Sequence, residues 1–525
     1  MKEKFRRCWA LVLVFVIVTG VCFLFAGRKS GMFIDEIYAY GLSNSHYAPF
    51  LTDIKDGEMV GKTFTRQELF DYVAVTDGER FDAGSVYYNQ VHDVHPPLHY
   101  WLLNAVCSLF PNTFTKWTGL ALNYVLYMLT MFALYKTVRR LGWSRGCGTA
   151  AAVLYGLSVI GLSTFVMIRM YMLLTLLAVV LMYLIVCLMR EFKPKYCILT
   201  GLVLLAGLIT QYYFVFYAFF LCAAYVIYAL VKREYKALAW FVPCALVGAL
   251  SLLLVFPACI DHLFADNIVS GGNAMENLRN FAQYPVRLRT FISFITHGLK
   301  AAIIIALLAI IALCVCFKKL RAAKDKRLDL RALVLIVPAF VVLVIVALIS
   351  PVDEPRYIYN LVPAFVLAAC LLLYLLEESL GSFEREGLIK TAALLCIMAL
   401  ALWQARCVPP DYLYPEYAEY DAIVAEHSDD KCVYFSDNRF EAITQDLLQL
   451  MAFDDFYVSD DTDLTGALDY VGGADEFVAY VDISEFWSSG YDPDKIISAL
   501  ADASDYDKAE LLYQNGLSAT YLISK

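Results

Sequence analysis

The chain has 525 residues, 60% of them hydrophobic and only 18% charged, which excludes a water-soluble globular protein of this size and requires a bilayer. The net charge of −9 conceals a division: residues 411–525 hold 26 Asp/Glu against 5 Lys/Arg, while the rest holds 25 acids against 37 bases. A basic membrane body therefore carries an acidic, water-compatible tail.

The first apolar run, Trp9 to Ala26, follows Lys2, Lys4, Arg6 and Arg7. Its apolar part is too long for a signal peptide and no small-x-small cleavage site follows, so it reads as an uncleaved first span. A span needs about 20 mostly apolar residues. Eleven candidates follow in order: 9–26, 118–138, 146–166, 171–189, 196–211, 213–231, 237–257, 291–316, 331–349, 357–376 and 388–405. With the N-terminus in the cytoplasm, the inside connections 136–145, 190–195, 232–236 and 318–331 are rich in Lys and Arg, and only 377–390 is acidic on balance. The bias of Lys and Arg toward the cytoplasm supports that orientation. Residues 27–117, 167–170, the turn near Gln211, 258–290, 350–356 and everything after 406 then fall outside. Residues 95–110 are opened by Pro96-Pro97 and read as an interfacial helix, because a span there would move Arg139, Arg140 and Arg145 outside.

In the tail, 432–437, 456–460, 477–482 and 519–524 read as short strands, and 439–452 and 493–503 as helices. The expected organisation is mainly α: a polytopic bundle over 1–408, with 27–117 a large external loop containing interfacial helices, and a small extracytoplasmic α/β domain over 409–525. The tail's Asp-rich loops contain no spaced calcium-ligand pattern and read as a solvated acidic surface. Most of the 15 cysteines, Cys22, Cys187, Cys222, Cys314 and Cys316 among them, lie in apolar runs where a thiol acts as a small hydrophobe. There is neither a CxxC pair nor a disulfide framework, and only Cys407 and Cys432 are candidates for pairing outside the cell.

Four external segments carry chemistry. Asp35-Glu36, just after the first span, sets two carboxylates at the membrane surface. Burial there would raise a carboxyl toward the range of a working base, and the plain alternative is a helix start whose acids complement its dipole. The stretch from Val91 to Tyr100 gathers His92, Asp93, His95 and His99 around Pro96-Pro97. This spacing permits a metal but reads better as a Pro-fixed substrate loop. Arg169, before Met170-Tyr171, is the single charge between Arg145 and Arg190. It suits a phosphate or carboxylate, against the alternative of a snorkelling arginine that only marks the turn. Arg356-Tyr357, in the loop opened by Ser350-Pro351, suits an anion at the surface, with aromatic anchoring the alternative for the tyrosine. The absence of Walker, GxGxxG and HExxH sequences argues against nucleotide-driven pumping and zincin proteolysis.

Taken in order, these motifs resemble the GT-C-type glycosyltransferases, especially the branch related to protein O-mannosyltransferases and lipid A aminoarabinose transferases. Asp35-Glu36 looks like that family's Asp-Glu motif, Asp93-Val94-His95-Pro96-Pro97-Leu98 with Tyr100 like its HPPL-Tyr element, and Arg169-Met170-Tyr171 and Arg356-Tyr357 like its later arginine-tyrosine motifs. The resemblance covers residues 1–405 and leaves the acidic tail out. The chain departs from it at His99, where tyrosine is frequent, and at Gln211-Tyr212-Tyr213, where histidine is common.

The resemblance implies Asp35 as general base, with Glu36, Asp93, His95, Arg169, Tyr171, Arg356 and Tyr357 binding substrate. The implied donor is a polyprenyl-phosphate sugar. The acceptor is a hydroxyl of a cell-envelope glycan, lipid or protein. Membrane lipids are the other partners and nucleic acid is not one. No particular cofactor is implied, and the adjacent acids would tolerate a divalent metal without demanding one. A transporter or flippase of lipid-linked saccharides is the rival from another class, but the paired half-repeats typical of such transporters are not evident. A polymer ligase on the same carriers and a plain membrane anchor for the tail are further alternatives.

Overall fold

The structure, a computed structural model, describes residues 9–264, 277–280, 282–315, 329–380, 386–437, 441–484 and 490–525. Lys2, Lys4, Arg6, Arg7, Cys316, residues 439–440, most of the connection 318–331 and parts of 258–290 and 377–390 lie outside the described residues. Contacts divide the chain into two compact units. One comprises Met1–Gly27, Val94–His99 and Leu120–Asp411, the other Arg28–Asp93, Tyr100–Gly119 and Tyr412–Lys525. The division differs from the sequence boundary after 408, since most of the first loop falls with the acidic tail.

In the membrane unit and its flanks, the eleven expected segments correspond to eight long apolar helices, two bent helix pairs and the shorter helix Pro194–Leu208 among the described residues. The bent pairs are the departures. Tyr284–Gly298 and Lys300–Val315 meet at 85°, so the expected span over 291–316 is not one helix. A break at that depth strips backbone groups of partners. Gln404, buried on a neighbouring helix, supplies them: its Nε2 donates to His297 O (3.2 Å) and Gly298 O (3.0 Å), and its Oε1 accepts from Ala301 N (2.7 Å). Arg145–Gly156 and Val159–Val166 meet at 58°. There Ser158 Oγ donates to Tyr155 O (2.7 Å) and accepts from Gly161 N (3.1 Å), which re-caps the second helix. Pro194–Leu208 and Tyr235–Leu250 cross at glycines. A Cβ on Gly201 would sit 2.5 Å from Cys244 O, and one on Gly248 would overlap the Gly201 carbonyl. Small residues let these backbones meet.

The other unit is built on a six-stranded sheet. Its strands are β1 (Lys62–Thr65), β2 (Lys431–Phe435), β3 (Asp455–Ser459), β4 (Glu476–Asp482), β5 (Lys508–Gln514) and β6 (Ser518–Ser524), in the order β1-β3-β2-β4-β6-β5. β2 is parallel to β3 and β4, and the outer pairings are antiparallel. Alternation drives the layering: Val433, Phe435, Phe477, Ala479 and Val481 pack with Ala467 and Val471 of Leu464–Val471 and with Ile496 and Leu500 of Pro493–Ala503. Tyr434 and Tyr480, one residue out of phase with that set, stack at 5.4 Å.

Four strands and the helix at 493–503 fall where the sequence reading places them. The expected helix over 439–452 is two short pieces, Glu441–Gln445 and Leu447–Leu450. β1 and β5 were not foreseen. β1 explains the regrouping of the first loop: Lys62–Thr65 pairs with Val458–Asp455, and Arg66 Nε donates to Phe453 O at 3.2 Å. Cys407 and Cys432 are both free thiols, the latter buried inside β2.

Candidate active site

The candidate residues divide between the units: Asp35, Glu36 and Asp93 lie in the acidic one, and His95, Arg169, Tyr171, Arg356 and Tyr357 in the membrane one.

The carboxylates sit on short helices. Ile34–Asn44 begins after an extended Phe33, and the Glu36 carboxylate reaches back to accept from Phe33 N at 2.8 Å, which is half of a capping box. The same oxygen accepts from Lys29 Nζ at 2.9 Å, and both side chains are wholly buried. Asp35, in the same first turn, is half-buried. Tyr38 lies three residues further on and therefore on the same face. Burial, then the nearby Glu441 charge, holds its phenol well above the ordinary range, with Asp35 adding to the effect.

The far end of this helix is pinned by amides: Asn44 Nδ2 donates to Val73 O (2.6 Å), Asn104 Nδ2 to Ser43 O (2.8 Å) and Asn89 Nδ2 to Ser45 O (3.0 Å). Asn89 belongs to Ala83–His92, whose C-terminal cap is the half-buried Asp93. Packing of Ala83–His92 on Ile34–Asn44 thus sets the third carboxylate beside the helix that bears the other two.

In the membrane unit, Leu98 N donates to Ile209 O at 2.9 Å and Pro96 and Pro97 are buried, which fixes the loop that presents His95. His99 is fully buried, and its pKa falls to about 3 through burial and the charge of Arg169. It is therefore a neutral imidazole. Arg169 is 3% exposed and so does not snorkel. Its position is the break between Val159–Val166 and Tyr171–Arg190, where Asn123 Nδ2 donates to Phe165 O (2.9 Å) and Met167 O (2.7 Å). Tyr171 opens the next helix with its ring edge-on to Tyr359 at 6.0 Å.

Tyr359 lies in the 3-10 segment Pro355–Leu361, which carries Arg356 and Tyr357 as well. The Arg356 guanidinium lies 5.7 Å from the Tyr357 ring centre, and that ring packs against Tyr213 at 5.3 Å. The preceding loop is tied by buried Arg287, which donates to Asp353 Oδ1 (2.7 Å) and Ser350 Oγ (2.7 Å). Sequence reading missed Arg287, Lys29 and Tyr38. Nothing in the sequence singled out Arg287, since Arg289 stands two residues away on the same helix and only the structure shows that Arg287 is the buried one.

His99 gives a pH prediction. Its folded pKa lies below the unfolded value near 6.5, so the unfolded chain takes the proton first and stability falls as pH drops from about 6.5 toward 3. The loss is about 2 kcal/mol by pH 5. In thermal melts from pH 8 to pH 4.5, His99→Gln should flatten this acid limb, whereas an unchanged limb would show that His99 does not cause it.

Elsewhere among the described residues, His427, Asp430 and Glu476 bring metal-capable atoms within 4.8 Å of one another, with His427 Nδ1 already 2.9 Å from Asp430 Oδ2.

Residues 94–260, which include His95, Arg169 and Tyr171, match the family model described as dolichyl-phosphate-mannose-protein mannosyltransferase. None of the curated proteins matches the chain in sequence. Among solved structures, ArnT from Cupriavidus metallidurans bound to undecaprenyl phosphate aligns over 98% of both chains, with a TM-score of 0.50 and 13% identity. The fold is that of the GT-C membrane glycosyltransferases. The apo oligosaccharyltransferase of Archaeoglobus fulgidus (TM-score 0.49, 11% identity, 91% of this chain and 70% of that one) and the arabinofuranosyltransferase AftD from Mycobacteria (0.41, 14%, 97% and 40%) are also similar.

The motif resemblance ended near residue 405, whereas the GT-C fold match over 98% of the chain takes in the acidic tail too. The chain is a multi-pass membrane protein, with eight helices long and apolar enough to cross a bilayer among the described residues.

Proposed function

We propose that this chain transfers a sugar from a polyprenyl-phosphate-linked donor to an acceptor hydroxyl on the extracytoplasmic face, with Asp35 as general base. One observation carries the reading: in a chain of GT-C fold, the two adjacent acids have unequal surroundings. Glu36 is wholly buried in an ion pair with Lys29, while Asp35, in the same first helical turn, is only half-buried.

The acceptor oxygen attacks the anomeric carbon as its proton passes to the Asp35 carboxylate, and the bond from that carbon to the phosphate oxygen breaks with its electrons on the leaving phosphate. Such a displacement runs through an oxocarbenium-like transition state, so the growing charge on the leaving group must be held. Arg356 and Arg169 take that role. Tyr171, Tyr357, Glu36, Asp93 and His95 bind substrate in this reading. A base and a cation suffice for this chemistry. The crystallised ArnT with undecaprenyl phosphate bound supports a prenyl-phosphate carrier. The basic connections at 136–145, 190–195 and 232–236 support a cytoplasmic N-terminus and an extracytoplasmic acidic domain.

The test is purified protein in detergent incubated with radiolabelled hexosyl and pentosyl polyprenyl phosphates plus an envelope extract, with and without a chelator. Label covalently attached to an acceptor is the expected result, and mass analysis identifies both substrates. Label that stays on the lipid and only changes sides in a proteoliposome would replace transfer with flipping.

A further inference from the structure

Residues 29–33 lie between the first span and the helix that carries Asp35, and each is held in place. Lys29 Nζ donates to Tyr412 O at 2.6 Å as well as to Glu36, and Lys29 O accepts from Lys116 Nζ. Ser30 N donates to Leu413 O at 2.8 Å. Gly31 has no room for a side chain, because a Cβ would stand 2.6 Å from Tyr417 Cγ and 2.9 Å from Tyr414 Cβ. Met32 O accepts from Gln445 Nε2 at 3.2 Å, and the same amide donates to Tyr417 Oη at 2.7 Å. The Phe33 ring packs on Tyr412 at 5.9 Å. Most of the grips therefore come from residues 412–445, at the entry to the acidic domain. Tyr412 and Tyr414 hold φ of 66° and 49°, a left-handed backbone unusual for tyrosine that turns the Tyr412 carbonyl toward the lysine.

We propose that Lys29 is a positioning residue for Asp35: its buried pair with Glu36 and its bond to the Tyr412 carbonyl lock the first turn of Ile34–Asn44 onto the start of the acidic domain. The proposal rests on the reading of Asp35 as the base. Lys29 is 0% exposed with donors committed to Glu36 and Tyr412, so it does not act as a phosphate ligand. The acidic domain is then part of the catalytic apparatus, since it supplies the surface against which the base is held. A base displaced by about 1 Å loses on the order of 100-fold in rate, and substrate affinity need not change with it.

The experiment compares Lys29→Met, Glu36→Gln and the double variant, in the full chain in detergent. Amide exchange of residues 34–38 reads the lock directly, turnover on the accepted donor gives kcat and KM, and undecaprenyl phosphate serves as the binding probe. Lys29→Met leaves Glu36 as a buried unpaired charge. It should speed exchange of the first turn at least tenfold and lower kcat about 100-fold, with KM and probe affinity within threefold of wild type. The double variant buries no charge, should recover at least tenfold of that kcat, and keeps the test open where the single variant fails to fold.

Unchanged exchange in Lys29→Met overturns the proposal. So does a tenfold loss of probe affinity that the double variant fails to repair, which would make Lys29 a donor-phosphate ligand. A wild type inert on every donor, with the exchange pattern as expected, overturns the transferase reading and leaves the lock standing.

Discussion

Asp35→Asn should lower sugar transfer by about 1000-fold or more, since general-base catalysis contributes roughly 100- to 10,000-fold and asparagine cannot take the proton. The substitution keeps the size of the side chain and its place in the first helical turn, and it leaves the Lys29–Glu36 pair untouched. Asp35 is half-buried, so removing its charge should move the unfolding temperature little. The check pairs initial rates on the donor that wild type accepts with a thermal melt of both proteins. Full activity in a folded variant would remove Asp35 as the base, and a collapsed melt would make the residue structural.

The largest structural effect is expected at a helix crossing. Gly248→Val forces a branched side chain onto the Gly201 backbone, where even a Cβ overlaps the carbonyl. Backbone, unlike the tip of a long side chain, has nowhere to swing, so Pro194–Leu208 and Tyr235–Leu250 must separate along their length. Overpacking of this kind costs about 3 kcal/mol, which for a chain of this size is on the order of a 3 °C fall in apparent unfolding temperature in detergent. Gly20→Val is the matched control, because a Cβ at Gly20 meets nothing within 4 Å. Equal melts for the two variants would contradict the close crossing.

How much of the fold could be read without coordinates depended on the range of each signal. Length and hydropathy located the apolar segments because a bilayer imposes its thickness residue by residue. Short apolar runs located β2, β3, β4 and β6 because such a run is local to each strand, β2 and β4 being buried almost throughout. β1 left no such mark: Lys62–Thr65 is four residues long, and its partner β3 lies some 390 positions away. The 85° break at Gly298 was equally silent, because Leu299 is an ordinary residue and the group that makes the bend tolerable is a glutamine a hundred positions later.

The same division runs through the site. Asp35, Glu36, Asp93, His95, Arg169 and Arg356 stand out in the sequence because charged and polar side chains beside apolar runs are costly and therefore few. Their surroundings do not stand out. That Glu36 is neutralised by Lys29, that His99 is a neutral imidazole beside Arg169, and that Arg287 anchors the loop before Arg356 all follow from side chains brought together across 7 to 70 positions of chain.

What the amino-acid order determined alone was therefore the membrane character, the acidic tail and most of its strands, each a consequence of composition or of short local runs, together with a set of candidate site residues. The tertiary structure decided which of two neighbouring carboxylates is wholly buried in an ion pair and which is half-buried. It also decided that most of the long loop after the first apolar helix folds with the tail, because a buried charge and a strand edge take their partners from wherever the packed chain returns, and no local pattern encodes that address.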